Sequence, residues 1–195
     1  MHIQLHIELN DTNPKVWRRL KVPADYSLYQ LHLAIQGAFG WHNCHLFQFS
    51  ESGLLTDKLA YGLPDPEFET ESFKMKDART TKMNRILRKP GQQFSYEYDF
   101  GDSWMHLVTL EGIFSEEISR PWCEDGYGTC PPEDCGGTGG YQQMLSVFAT
   151  PRHPDKKSYL DWLGLPKNYK WDPHACSVRE INARLALLDN WHLKL

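Results

Sequence analysis

His2-Ile3-Gln4-Leu5-His6-Ile7-Glu8-Leu9 alternates without a break, with Ile3, Leu5, Ile7 and Leu9 on one side of an extended chain and His2, Gln4, His6 and Glu8 on the other. Successive side chains of a strand point to opposite faces, so a period of two marks a strand with one buried face. Asn10-Asp11-Thr12-Asn13-Pro14 supplies turn residues, and Val16 to Val22 resumes the extended pattern until Pro23. The two segments are expected to pair as an antiparallel hairpin.

Further along, Ser27 and Gln30 form a capping-box pattern ahead of Leu28, Leu31, Ala34, Ile35 and Ala38, which predicts an amphipathic helix over 28–38 closed by Gly40. His45 to Phe49 reads as a short strand, 51–72 as an irregular excursion and 80–88 as a short helix ended by Pro90-Gly91. Phe94, Tyr96 and Tyr98 alternate with Ser95, Glu97 and Asp99, and alternation resumes after Ser103 through Leu110, which predicts a second hairpin. Helical spacing returns over 139–148, 155–163 and 177–188.

Early strands and late helices favour α+β over a parallel βαβ arrangement. The expected fold is an antiparallel sheet of two hairpins packed against helices, with a helical C-terminal part. At 195 residues one domain is expected, divided into a strand-rich part (1–114), a Cys/Pro loop (115–136) and a helical part (137–190).

No apolar run approaches the roughly 20 residues of a membrane helix, and the first residues lack the build of a secretion signal, so a cytoplasmic protein is expected. A reducing compartment disfavours disulfides among five cysteines. The net charge of −4 is uneven: Lys74, Lys76, Arg79, Lys82, Arg85, Arg88 and Lys89 face Asp77 alone over 74–89, while the remainder holds 14 basic and 24 acidic residues. Arg79, Lys82, Arg85 and Lys89, with Trp17 between Lys15, Arg18 and Arg19, are therefore candidates for nucleic-acid contact, cations for phosphates and an aromatic for stacking. The competing reading is a solvated basic face.

Reactive side chains crowd into two runs, Tyr98-Asp99-Phe100-Gly101-Asp102-Ser103-Trp104-Met105-His106 and Cys123 through Cys130-Pro131-Pro132-Glu133-Asp134-Cys135. Cys123, Cys130 and Cys135 with His106 or His45 would complete the N/S set zinc prefers, although the spacing lacks the two-residue knuckle of a strong zinc motif. Asp99, Asp102, His106 and Cys135 would equally be the parts of a Cys/His or hydrolytic centre, with no nucleophile or substrate fixed. In both cases the loop of 130–137 is expected to fold back over the aspartate turn, placing Glu133 and Asp134 at the rim. The plainer alternatives are packed thiols, turn-capping aspartates and a core histidine. The tryptophans and the tail Asp189 to Leu195 are candidates for partner binding or self-association.

The chain resembles the plasmid ORF-three-like family, named for a reading frame on an Ri-type plasmid. The resemblance rests on Pro14-Lys15-Val16-Trp17-Arg18-Arg19, Leu31-His32, Phe39-Gly40-Trp41, His45-Leu46, Tyr98-Asp99-Phe100-Gly101-Asp102, Cys130-Pro131-Pro132-Glu133-Asp134-Cys135-Gly136-Gly137, Tyr159-Leu160-Asp161-Trp162-Leu163-Gly164 and Glu180-Ile181-Asn182. It implies an α+β fold and, in some members, association with plasmids and mobile elements; it carries no defined activity. Members similar to this chain often have His-Leu-His where His45-Leu46-Phe47 stands, so a role needing a second imidazole at Phe47 is not implied here.

Overall fold

The computed structural model describes residues 1–51, 59–65 and 74–188. The tail 189–195 and most of the 51–72 excursion lie outside the described residues. Eight strands follow the chain as β1 (His2–Leu9), β2 (Val16–Pro23), β3 (Phe47–Ser50), β4 (Leu59–Gly62), β5 (Lys74–Asp77), β6 (Gln93–Tyr98), β7 (Trp104–Phe114) and β8 (Trp122–Tyr127). The helices are α1 (Leu28–Phe39), α2 (Gly137–Ala149), α3 (Lys156–Trp162) and α4 (Val178–Leu185).

The strands form one sheet in the order β5-β4-β3-β6-β7-β1-β2-β8. Both expected hairpins are present, with Leu5 opposite Leu20 and Tyr96 opposite His106, and β1 joins them through β7. The sheet is nevertheless mixed and larger than two hairpins, because β5 runs parallel to β4. β8 corrects the reading of 115–136 as loop: Trp-Cys-Glu-Asp-Gly-Tyr has no apolar alternation, yet it extends the sheet beyond β2. The helix expected over 80–88 is only a 3₁₀ turn, Met83–Arg85.

α1 begins as its sequence dictates. The Ser27 hydroxyl accepts from the Gln30 amide at 3.2 Å and the Gln30 side chain accepts from the Ser27 amide at 2.8 Å, which satisfies two otherwise orphaned donors. It ends at Gly40, whose φ of +87° suits a residue without Cβ. The helix is not the half-exposed one its stripe predicts: every residue except Gln30 is buried, because the sheet covers one side and α4 packs on another. Leu5, Ile7, Leu20, Leu28, Ile35, Phe49 and Phe94 meet in the resulting core, each aliphatic or aromatic side chain contributing about 1.5–3 kcal/mol on burial.

Two guanidinium groups fasten the end of α1. Arg18 is buried on the core face of β2 and donates to the carbonyls of Ala38 (3.2 Å), Trp17 (2.7 Å), Tyr127 (2.9 Å) and Gly128 (2.9 Å). Arg184 of α4 donates to the Gly37 carbonyl at 2.8 Å. Cations at a helix C-terminus satisfy its free carbonyls and complement the helix dipole. We predict that Arg18→Ala lowers the stability measured by urea unfolding by at least about 3 kcal/mol, since it strands several buried carbonyls at once. A loss below about 1 kcal/mol would contradict the clamp.

Candidate metal centre

Three chain segments meet at one end of the sheet: the loop 41–46 after α1, the 98–103 turn between β6 and β7, and the 128–137 loop after β8. The Trp41 indole donates to the Pro131 carbonyl at 3.0 Å. The Tyr98 hydroxyl accepts from the Cys44 amide at 3.0 Å and donates to Glu133 Oε1, while Glu133 Oε2 takes the His42 amide (3.0 Å) and contacts His42 Nδ1 (2.6 Å). Burial, reinforced by the Glu133 hydrogen bond, pushes the Tyr98 phenol up, so it stays a donor.

Behind the first loop lies a buried polar network. His32 accepts at Nδ1 from the Tyr96 hydroxyl (2.8 Å) and donates from Nε2 to Asn43 Oδ1 (2.7 Å), and Gln36 bonds both Tyr96 and the Asn43 amide. The His32 ring stacks on Phe47 with centroids 3.7 Å apart. This network fixes Asn43, and with it the direction in which His45 leaves the loop.

The aspartate turn is organised by Asp99 itself. Its φ of +58° is a conformation aspartate tolerates, and its Oδ1 accepts from the amides of Gly101 (2.9 Å) and Asp102 (3.3 Å), leaving Oδ2 free to face outward from the turn. Asp102 Oδ2 takes the Gly136 amide at 3.2 Å. The loop approaches so closely that a Cβ on Gly137 would lie 2.6 Å from the Asp102 carbonyl oxygen. Glycine at 137 is thus what allows the two segments to dock.

At this junction His45, Asp99 and Asp134 each present a ligand atom within 4.8 Å of the others, the group of this kind found among the described residues. His45 Nε2 is 3.1 Å from Asp134 Oδ1 and 3.6 Å from Asp99 Oδ2. The nitrogen is shielded from solvent and makes no well-aligned hydrogen bond. An imidazole nitrogen facing two carboxylate oxygens is a donor set for a borderline-hard divalent cation.

No thiol belongs to this group, although Cys135 lies near Asp102 and Asp134. Cys123 sits on β8 opposite Leu20, Cys130 is half-buried near Arg18 and Arg184, and Cys135 is half-buried beside Gly137. Burial pushes Cys123 up to about 12; burial and then the charge of Asp102 push Cys135 up to about 12, the opposite of an activated nucleophile. His106 does not line a pocket: it is fully buried, bonds the Trp104 carbonyl at 2.9 Å and meets the edges of Phe39 and Trp41. It takes the plainer alternative, a core histidine on the buried face of β7 with Trp104 and Val108.

The nucleic-acid candidates also separate. Arg18 is buried and bound to backbone, so it cannot reach a phosphate. Arg19 is held by Glu111 (2.7 Å) and sits over Trp17, which contacts His6. Arg79, Lys82, Arg85 and Lys89 are all exposed, but Arg79 pairs with Asp77 and Lys82 donates to the Asp25 carbonyl.

The fold and this junction define an α+β protein with a His/Asp/Asp cluster at the end of a mixed sheet. Residues 1–180 match the family described as plasmid pRiA4b ORF-3-like protein, and the chain belongs to it. It is 33% identical over 182 residues to the uncharacterized protein y4hQ of Sinorhizobium fredii, covering 92% of this chain and 88% of that one. Its fold is similar to the crystal structure of MM3350, a protein of unknown function from Methanosarcina mazei Go1, with a TM-score of 0.74 and 28% identity over 92% of this chain and 95% of that one. Among the described residues no helix is long and apolar enough to cross a membrane.

His32 and His106 make the fold acid-sensitive. Burial lowers both to about 3, so each is neutral in the folded state and regains a value near 6.5 on unfolding. Between those values the unfolded chain binds more protons, so stability falls as pH drops through the window, by up to about 1.4 kcal/mol per pH unit for each histidine. Urea unfolding between about pH 4 and 6.5 should show this slope reduced by up to about 1.4 kcal/mol per unit in His106→Phe. An unchanged slope would mean that His106 takes up its proton while folded.

Proposed function

We propose that this protein is a divalent-cation-binding domain whose metal is held by His45, Asp99 and Asp134. The observation that carries the reading is the meeting of three ligand atoms from three distant segments around a solvent-shielded imidazole nitrogen without a well-aligned hydrogen bond. The surrounding bonds fit a supporting shell: the turn amides orient Asp99, and Glu133, Tyr98 and His42 fix the loop that carries Asp134. Three protein ligands leave coordination positions for water or a substrate, the arrangement on which metal-assisted hydrolysis depends. Oxygen-rich ligands favour manganese, iron(II) or zinc over a thiolate-held structural zinc.

Nucleic-acid contact through Arg79, Lys82, Arg85 and Lys89 is the weaker reading, because two of these side chains are already engaged by Asp77 and the Asp25 carbonyl. The five unpaired cysteines suit a reducing compartment such as the cytoplasm.

Calorimetric titration of chelator-treated protein with manganese and with zinc should give one cation per chain. His45→Ala, Asp99→Asn and Asp134→Asn should each weaken binding at least about tenfold, while Cys130→Ser leaves it unchanged. Binding unaffected by all three ligand substitutions, or no binding of either cation, refutes the assignment. Bound at about 100 times its dissociation constant, the cation should raise unfolding free energy by about 2.7 kcal/mol.

A further inference from the structure

The helical region after β8 carries an aromatic arc that the metal centre does not use. Ring contacts run from Trp162 to Tyr159 (6.2 Å between centroids), Tyr159 to Phe148 (6.2 Å), Phe148 to Trp171 (5.5 Å) and Trp171 to Tyr169 (6.3 Å). The interior members are partly or wholly buried, but both ends emerge, Trp162 being 48% exposed and Tyr169 37%. At one end Tyr159 and Trp162 lie about one turn apart on α3 and, with Ser158, line an open groove of about 210 Å³.

The charge around this arc departs from that of the whole chain. Residues 151–171 hold Arg152, Lys156, Lys157, Lys167 and Lys170 against Asp155 and Asp161, in a protein whose net charge is −4. Lys156 stands over the Phe148 ring at 5.7 Å and Lys157 lies 3.8 Å from Asp161. Arg152, Lys167 and Lys170 are exposed, the two lysines flanking Tyr169.

We propose that this surface binds single-stranded nucleic acid, with bases stacking on Trp162 and Tyr169 and the backbone phosphates meeting Arg152, Lys167 and Lys170. The ligand chemistry follows from what is presented. Exposed rings offer π-faces that any base can cover, and cations beside them offer phosphate contacts without base readout. The site is separate from the cation centre and shares no residue with it.

The test is fluorescence anisotropy of a labelled oligothymidylate of about 12 nucleotides against the full chain at about 50 mM salt, then at rising salt. Saturable binding is expected, weakening linearly in log salt. Trp162→Ala should weaken it at least about fivefold, and Lys167→Glu with Lys170→Glu should both weaken it and flatten the salt slope. All these residues are exposed, and unchanged circular dichroism and thermal midpoints will show that the variants fold. Absence of binding at low salt overturns the proposal, as does binding that ignores both sets of substitutions or is lost instead in Arg85→Glu/Lys89→Glu. Tighter binding to duplex than to single strand also overturns it.

Discussion

The carboxyl end of α1 is the point on which the rest of the molecule turns. Its last carbonyls are claimed by guanidinium groups from two distant places, Arg18 on β2 and Arg184 on α4. Because Arg18 also takes the carbonyls of Tyr127 and Gly128, the helix end, β2 and the exit of β8 are tied to one side chain. A buried cation satisfied wholly by backbone oxygens must be held in one geometry or lose most of its bonds together. That geometry sets where Gly40 releases the chain and where β8 hands over to the proline-rich loop.

The proposed cation site depends on that placement twice over. One ligand follows α1 by six residues and another follows β8 by seven, so both loops start from points the guanidinium fixes. Between them, Trp41, Tyr98, His42 and Glu133 stitch loop to loop and loop to turn. Asp99 needs no such help, since its turn is closed by its own carboxylate. Rigid approaches on all three sides are what a coordination site requires, because misplacement by an ångström costs affinity steeply.

Much of this was legible in the residues. The alternation of 2–9 and 94–110 marked the central hairpins, and the Ser27–Gln30 pattern marked the start of α1, because those signals are local. β8 was not legible: its ladder comes from β2, and Cys123 is its one buried apolar side chain. Nor was the parallel pairing of β4 and β5, four residues each, set amid glycine, proline and acid. The return of the 130–137 loop to the aspartate turn was expected from the crowding of reactive side chains in the two runs, and Gly137 is what permits it. The set His45, Asp99 and Asp134 was not singled out, because its meeting depends on three segments far apart in the chain. Cys130 is half-buried near Arg18 and Arg184, residues over a hundred and about fifty positions away, and no spacing rule reports that. Arg18 shows the same limit in reverse, reading as a surface cation while serving the core.

The two margins of the sheet bear on how copies of the chain meet. At one margin stands β5, only four residues long, with Lys74 and Lys76 exposed and the Lys76 ammonium 5.8 Å above the Tyr61 ring. At the other, the pairing of β8 with β2 slips between Arg19 and Leu20, bending the rim, and Glu124 and Asp125 add charge. Short, charged or kinked borders are how β proteins discourage strand-by-strand accretion. An open ladder of this width would otherwise be a template for fibrils; here lysines stand at one border, and at the other a bulge and Asn182 of α4, bonded to both the amide and the carbonyl of Cys123, interrupt it.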